Sequence, residues 1–153
     1  MNDLRIRPCQ EWEISSLHEL FYDTVHAIGV GYYTNQQLSA WAPREWDQKS
    51  WEFRLLRQHT VVAVRGESIL GFGSLAEHGV LDMLFVHSGH QGQGIGTALC
   101  DHLEQAAGNQ IIQTHASMMA RPFFEKRGYK LIKEQQVCRK NVWLRNYFME
   151  KSI

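Results

Sequence analysis

The first part of the chain changes from strand-like alternation to helical spacing of its apolar residues. Residues 4–7 alternate between apolar and basic side chains, which predicts a short strand that ends at Pro8. A stripe at helical spacing follows and consists of Ile14, Leu17, Phe21 and Val25. This stripe predicts a helix over about Gln10 to Ile28. The helix is expected to end at residues 29–31, because two of these three residues are glycines.

Two further helices are predicted in the segment that follows. Thr34 or Asn35 can cap a short helix that stops before Pro43, because a residue that precedes proline disfavours the helical conformation. The next helix is expected from about Asp47 to Gln58. The sequence therefore predicts helical structure between the first strand and the second.

The rest of the chain alternates between strand-like and helix-like segments. Three apolar runs joined by short glycine-bearing turns predict an antiparallel meander over residues 60–65, 69–75 and 80–87. A helix, a strand, a helix and two strands are then predicted over residues 97–107, 110–115, 120–127, 129–138 and 142–150. Together these segments predict an α/β fold in one domain that covers residues 1–153.

A glycine-rich segment, here called the glycine loop, follows the run 80–87 and reads Gln91-Gly92-Gln93-Gly94-Ile95-Gly96. Main-chain N–H groups of such a turn can point inward, and the helix N-terminus adds partial positive charge, which is typical of a phosphate cradle. It is not the G-x-x-x-x-G-K-S/T loop, because no Lys follows, nor G-x-G-x-x-G, because its glycines are differently spaced. We therefore expect a phosphate-bearing cofactor of another kind.

Two motifs resemble the signatures of the GNAT superfamily of acyl-CoA-dependent N-acetyltransferases, in its small single-domain bacterial form. Residues 91–96 match Q/R-x-x-G-x-G/A, and residues 120–129 match A-x-x-F/L-Y-x-x-x-G-F/Y at all but one position. A predicted strand separates them, as in the family. The resemblance implies the order β-α-α-β-β-β-α-β-α-β-β, with a mixed sheet whose central strands splay apart.

The resemblance also implies acetyl-CoA as co-substrate. The N–H groups of the glycine loop, the side-chain amide of Gln91 and the hydroxyl of Thr97 would bind its pyrophosphate. The pantetheine arm would lie along Leu84, Phe85 and Val86, where a main-chain N–H would stabilise the oxyanion. Phe124, in the second motif, belongs to the same expected site. The full expected cofactor set is Leu84, Phe85, Val86, Gln91, Gly92, Gln93, Gly94, Ile95, Gly96, Thr97 and Phe124.

Transfer to an amine requires a base or a desolvating site, because an alkylammonium group with a pKa near ~10.4 is mostly charged at pH 7. Asp82 is the first candidate, since alternation places it beside Leu84 and Val86, where apolar neighbours would raise its pKa. A hydrogen-bonded, purely structural Asp82 is the alternative. The second and third candidates are Glu77 with His78, and His115.

The departing thiolate lacks an obvious proton donor. The family's usual general acid is the tyrosine of the second motif, and this chain has Phe124 there, which has no proton to give. Tyr129 or Tyr147 can serve instead, and Tyr129 is counted among the candidate catalytic residues. The thiolate can also leave unaided, because an ordinary thiol has a pKa of about 8.5.

Aromatic residues are concentrated between the first two strands, where this family builds its acceptor wall. Tyr33 and Trp41 are the candidate substrate-binding residues, with Trp41 two positions before Pro43. Aromatic rings hold cations over their faces or stack on flat rings. We therefore expect a small amine or aromatic amine rather than a protein tail.

Composition excludes several classes of function. Sixteen basic and sixteen acidic side chains give zero net charge, which predicts no nucleic-acid surface. No apolar run approaches the ~18 residues of a membrane span, and the N-terminal residues do not resemble a signal peptide, so we expect a cytoplasmic protein with no membrane partner. Three widely spaced cysteines and the pair His87-x-x-His90, with no third close ligand, predict no metal site.

The sequence thus predicts an N-acetyltransferase that moves an acetyl group from acetyl-CoA to a primary amine of a small molecule by direct attack. The absence of the family tyrosine at Phe124 favours one alternative, a non-catalytic acyl-CoA-binding sensor. Acetylation of a protein or of a tRNA-linked amine is another. A monomer or homodimer is expected, with residues 143–148 as a possible dimer strand.

Overall fold

The computed structural model describes residues 3–108 and 110–153, and the strands in them form one seven-stranded sheet. The strands are β1 (Leu4–Pro8), β2 (His59–Arg65), β3 (Ser68–Ala76), β4 (Val80–Val86), β5 (Ile111–Ser117), β6 (Lys130–Arg139) and β7 (Val142–Ser152). Their spatial order is β1-β2-β3-β4-β5-β7-β6, and β4 and β5 are the parallel neighbours in it. The mixed sheet that the sequence predicted is confirmed.

The α-helices are α1 (Ile14–Ile28), α2 (Asn35–Trp41), α3 (Gln48–Arg57), α4 (Ile95–Ala107) and α5 (Arg121–Lys126). Three of them lie between β1 and β2, one more than the implied element order counts, although all three segments were predicted to be helical. Thr34 caps α2 by accepting a hydrogen bond from the N–H of Gln37, and Asp47 caps α3 in the same way. These caps set the residues at which α2 and α3 begin.

The sheet carries helices on both faces. On one face, Leu99 and Leu103 of α4 pack with Val61 of β2 and with Phe124 of α5. On the other face, buried side chains of all three early helices pack against the sheet, and they include Leu17, Leu38 and Leu55. The sheet therefore lies between two apolar cores. One core is under α4 and α5, and the other is under α1, α2 and α3.

A β-bulge and a gap interrupt the centre of the sheet. Ser74 pairs with Met83 and Leu75 pairs with Leu81, so Asp82 is an extra residue in β4. Pairing between β4 and β5 is confined to two positions at the start of β4, and the last is Leu81 with Thr114. Beyond that point the two strands part, which is the expected splay.

Strand β7 has both edges paired, to β5 on one side and to β6 on the other. The pairing with β5 covers residues 146–152 only, so residues 142–145 are paired on the β6 side alone, and the expected monomer or homodimer stays a prediction. The exposed edge on this side of the sheet belongs to β6.

Candidate active site

One cleft of about 1030 Å³ occupies the gap between β4 and β5 and opens on both faces of the sheet. Its walls on the α4 side come from the glycine loop, Thr97 and Phe124, and on the α1–α3 side from aromatic residues that include Trp41 and Trp51. A cleft of this volume is in the range that small-molecule sites occupy.

Two glycines of the glycine loop adopt the left-handed conformation that other residues disfavour. Gly92 has φ +72° and Gly94, the N-cap of α4, has φ +82°. A Cβ atom at either position would meet nothing within 4 Å, so the space over the loop is open. A Cβ at Gly96 would lie 3.4 Å from the Phe123 ring, so this glycine allows α4 and α5 to pack closely.

The loop presents unpaired donors to this open space. Across the described residues, the main-chain N–H groups of 91–97 donate to no protein acceptor, and the N–H of Ala98 is the first to bond, to the Gly94 carbonyl. Free N–H groups at a helix N-terminus form a site for a phosphate or diphosphate. The loop thus fits the pyrophosphate of coenzyme A.

The side-chain amide of Gln91 does not contribute to this site, contrary to expectation. Its Nε2 donates to the Val86 carbonyl oxygen at 2.6 Å, which ties the loop to the end of β4. Gln91 therefore shapes the loop from within, and the donors left for a phosphate are main-chain N–H groups and the Thr97 hydroxyl.

The exposed end of β4 offers main-chain polar groups to the gap. The N–H of His87 donates to Leu70 of β3, and alternate residues of a strand direct their N–H and C=O groups to the same side. The polar groups of Leu84 and Val86 therefore point away from β3, toward the gap. The side chain of Phe85 lies on the acceptor face, with its ring 5.0 Å from that of Phe21.

Asp82 lies in the cleft, in the hydrogen-bonded environment of the alternative prediction and not in the apolar one expected of a base. Arg54 donates from Nε and Nη2 to the two carboxylate oxygens at 2.8 and 2.9 Å, and Gln58 adds a third bond at 2.9 Å. Burial raises the pKa of Asp82, but these bonds outweigh it and hold the pKa below its ordinary value. The expected raised pKa is wrong, because the bulge turns this carboxylate toward α3.

The other two candidate catalytic residues lie outside the cleft. Glu77 is exposed in a 3-10 turn at the start of β4, at the end of that strand away from the glycine loop. Tyr129 is buried, and its hydroxyl donates to Glu104 at 2.9 Å. Burial and the Glu104 carboxylate raise the Tyr129 pKa, so this phenol is not available as an acid. Both assignments are corrected on these grounds.

Phe124 lines the cleft and is buried, with its ring 5.0 Å from that of Tyr129. Phe124 therefore gives the cleft an apolar wall at the position where the family motif has the phenol of a tyrosine. Tyr147, the other hydroxyl that was considered, lies under the Arg121 guanidinium and does not line the cleft. The described residues therefore bring no tyrosine hydroxyl into the position of the family acid.

The acceptor side of the cleft is aromatic, as predicted. The Trp41 ring packs against Tyr33, Phe21 and Phe85 at centroid distances of 5.7, 6.4 and 6.3 Å. Tyr33 has a second function, because its hydroxyl donates to the Arg145 carbonyl and accepts from the N–H of Met118. Its ring lines the cleft while its oxygen fastens the helical layer to the sheet.

Two histidines in the cleft received little or no weight from the sequence. His18 stacks on Trp46 at 3.8 Å, and burial lowers its pKa, so its ring is a neutral part of the aromatic wall. His115 lies on the splayed part of β5. It is near enough to Asp82 to help lower the pKa of the Asp82 carboxyl. Its Nδ1 is 2.9 Å from the Gln135 amide. The topology creates these contacts, which local patterns do not reveal.

The described part of the chain contains no group of three or more His, Cys, Asp or Glu residues arranged to hold a metal ion. None of its helices combines the length and the apolar character needed to cross a bilayer.

Comparison with known proteins agrees with this geometry. Residues 30–151 match the family model of the acetyltransferase (GNAT) domain. The chain is 32% identical over 149 residues to the uncharacterized N-acetyltransferase YafP of Escherichia coli, covering 97% of this chain and 96% of that protein.

Solved structures with the same fold include a GCN5-related N-acetyltransferase from Rhodopseudomonas palustris, with 32% identity, a TM-score of 0.94 and coverage of 100% of this chain and 98% of that one. The PaiA N-acetyltransferase of Thermoplasma acidophilum, solved with coenzyme A, has 16% identity, a TM-score of 0.81 and 99% coverage of both chains. The protein belongs to the GNAT family and is an acetyl-CoA-dependent acetyltransferase.

Proposed function

We propose that this protein acetylates the primary amine of a small molecule, with acetyl-CoA held at the glycine loop and in the gap between β4 and β5. The observation that carries the proposal is the single cleft that joins the unpaired N–H groups of residues 91–97 to an aromatic chamber on the other face. Acetyl-CoA supplies an activated acyl group as a thioester, and the chain supplies position, charge stabilisation and proton transfer.

The diphosphate is held by main-chain donors. The N–H groups around Gly94 and at the start of α4 stabilise its negative charge, assisted by the helix dipole and by the Thr97 hydroxyl. The Leu84 carbonyl and the Val86 N–H are offered to the pantetheine amides, because the Val86 carbonyl already accepts a bond from Gln91. PaiA of Thermoplasma acidophilum and YncA of Salmonella typhimurium, which share the fold, were solved with coenzyme A and acetyl-CoA respectively, and this supports the ligand.

A main-chain N–H that points into the gap stabilises the negative charge that develops on the acyl oxygen. Leu84 is the residue for this role, because it lies between the splay point and the glycine loop and its N–H points away from β3. Loss of one such donor in an enzyme site costs about 3–4 kcal/mol of transition-state stabilisation.

The proton of the acceptor amine goes to His115, directly or through a water molecule. Asp82 has both oxygens bonded to Arg54 and a lowered pKa, so it is a poor base. An imidazole is a suitable proton acceptor near neutral pH. The Gln135 amide nitrogen donates to Nδ1 in this structure, so acceptance of a proton at Nε2 requires the Gln135 amide to turn and present its oxygen to an N–H on Nδ1.

A small acceptor fits this chamber, because side chains from several elements line it. α1, α3 and β7 surround it, and Trp41, Trp51 and Phe85 supply apolar surface. Zero net charge gives no attraction for a polybasic protein tail or for tRNA.

Thiol release from acetyl-CoA, measured with a panel of small amines, tests the proposal. We expect turnover with some members of the panel, and His115→Asn should lower kcat most at pH values below the pKa of the amine. The control is His102→Asn on α4, which lies outside the cleft. Turnover restricted to peptide or aminoacyl-tRNA acceptors would contradict the small-molecule assignment, and an unaltered pH–rate profile in His115→Asn would remove His115 as the base.

A further inference from the structure

Arg54 is held in a fixed orientation at the acceptor end of the cleft. Its guanidinium makes two parallel bonds to Asp82, and the Gln58 amide fixes the same carboxylate from a third direction. The Asp82 side chain is 23% exposed and the Arg54 side chain 49% exposed, so the pair has a half-buried anchor and an accessible outer part. Charged pairs with this bidentate geometry are well ordered.

The guanidinium has donors to spare. It carries five N–H groups, and Asp82 accepts from two of them, which leaves three on Nη1 and Nη2. Among the described residues, none accepts a bond from these three, and Arg54 lines the cleft. The Nη1–Nη2 edge of an arginine matches the two oxygens of a carboxylate.

Basic side chains along the cleft wall favour an anion in the cleft. The hairpin between β6 and β7 brings Arg139, Lys140 and Arg145 to the cleft wall. Two of the three carboxylates in the described lining already have partners, because Asp82 pairs with Arg54 and Asp47 accepts from the N–H groups of α3. Glu45 is the remaining acidic residue in the described lining.

This edge is separate from the diphosphate site. Arg54 is on α3, which packs on the face of the sheet opposite α4 and the glycine loop. An anion bound here therefore belongs to the acceptor and not to coenzyme A.

We propose that Arg54, positioned by Asp82 and Gln58, binds a carboxylate of the acceptor, so that the preferred substrate is an amine that also carries a carboxylate, such as an amino acid. This inference rests on the proposed function and narrows its substrate class. Asp82 is then a positioning residue, because it acts through the orientation of Arg54.

The test compares amines that carry a carboxylate with the carboxamides of the same amines. Because the carboxylate and the carboxamide differ in the pKa of their amino group, kcat/KM is calculated for the concentration of unprotonated amine. We expect the wild type to prefer the carboxylate by about 10- to 100-fold in kcat/KM, the range for a charge-assisted pair. Arg54→Gln should bring this ratio near 1, mainly through KM. Arg54→Lys should give an intermediate ratio, because it keeps the charge and loses the planar fork.

Arg57→Gln is the matched control, since it makes the same change on the same helix at an exposed side chain outside the cleft. It should retain the carboxylate preference of the wild type. Asp82→Asn should weaken the preference, but it should have no further effect in the Arg54→Gln background if Asp82 acts through Arg54. Additive losses in the double variant would overturn the positioning role.

Equal rates for carboxylate and carboxamide in the wild type, or a preference that survives Arg54→Gln, would overturn the proposal. If Arg54→Gln does not fold, the wild-type ratio and the Arg54→Lys ratio decide instead. Transfer without a carboxylate preference refutes this inference alone. If coenzyme A does not bind, the cofactor site is refuted. If coenzyme A binds but no carboxylate or carboxamide amine is acetylated, both this inference and the small-molecule function are refuted.

Discussion

The Oγ1 atom of Thr114 donates a hydrogen bond of 2.9 Å to the carbonyl of Leu81, at the last position where β4 and β5 are paired. The bond closes the narrow end of the gap, and every cleft residue of β4 beyond it lies on the open side. The Thr114 side chain therefore marks the point from which the gap between β4 and β5 opens.

Replacement of this hydroxyl should affect both stability and cofactor affinity. Thr114→Val keeps the shape of the side chain and leaves the Leu81 carbonyl without this donor, which should lower the free energy of unfolding by about 1–3 kcal/mol. The strands should also part more widely, so that the KM for acetyl-CoA rises. Denaturation curves and steady-state kinetics measure the two effects.

Thr60→Val is the control for this change. The Thr60 hydroxyl donates to the Leu55 carbonyl at 2.7 Å, in an equally buried position outside the cleft. This variant should lose comparable stability with an unchanged KM. If both variants raised the KM equally, the special role of the Thr114 bond would be refuted.

Trp41→Leu should weaken acceptor binding without affecting the cofactor. The indole packs with Tyr33 and Phe85 on the acceptor side of the cleft, so its loss should raise the acceptor KM by about tenfold, or ~1.4 kcal/mol. The affinity for coenzyme A should not change. Trp12→Leu, at an indole that is 79% exposed and outside the cleft, should alter neither value. A matching loss of coenzyme A affinity in Trp41→Leu would place this residue on the wrong side of the site.

Glu104 should control stability at low pH. Burial raises its pKa, but hydrogen bonds from Arg127, Tyr129 and Lys151 outweigh burial and lower it below the ordinary value. A carboxylate with a lowered folded-state pKa contributes stability that is fully present above its unfolded-state pKa, near ~4.3, and is lost as pH falls through the folded-state value. The free energy of unfolding should therefore fall on acidification below about pH 5.

Glu104→Gln should lower the free energy of unfolding at pH 7 by about 2–3 kcal/mol, because Lys151 loses its carboxylate partner and Arg127 keeps only Asp101. Its stability should also change less between about pH 5 and pH 3 than that of the wild type. The same acid dependence in both proteins would show that Glu104 is not the responsible group.

Local signals in the sequence were sufficient for the elements and the cofactor loop. Thr34 and Asp47 cap helices as their side chains predict, and the spacing of the glycines gave the loop before α4. The splay came from family resemblance, because no local pattern encodes where two parallel strands stop pairing.

The catalytic residues were harder to predict, because long-range contacts decide their chemistry. The bulge at Asp82 breaks the alternation from which its face was inferred, and its partner Arg54 is 28 residues away in sequence. Tyr129 is made unreactive by Glu104, which is 25 residues away. His115 gains its place in the cleft because β5 separates from β4, which its own neighbours in sequence do not indicate.

The central claim is that main-chain N–H groups of the glycine loop hold the diphosphate of coenzyme A. Titration calorimetry of the folded protein with coenzyme A and with acetyl-CoA tests it most directly. The variant is Gly94→Asp. The control is Gly108→Asp, because Gly108 also has a positive φ and open surroundings but lies at the other end of α4. We predict that the wild type and Gly108→Asp bind both ligands, and that Gly94→Asp stays folded but loses at least tenfold in affinity, because its carboxylate occupies the phosphate site. No heat from the folded wild type, or equal affinity in Gly94→Asp, would contradict the account.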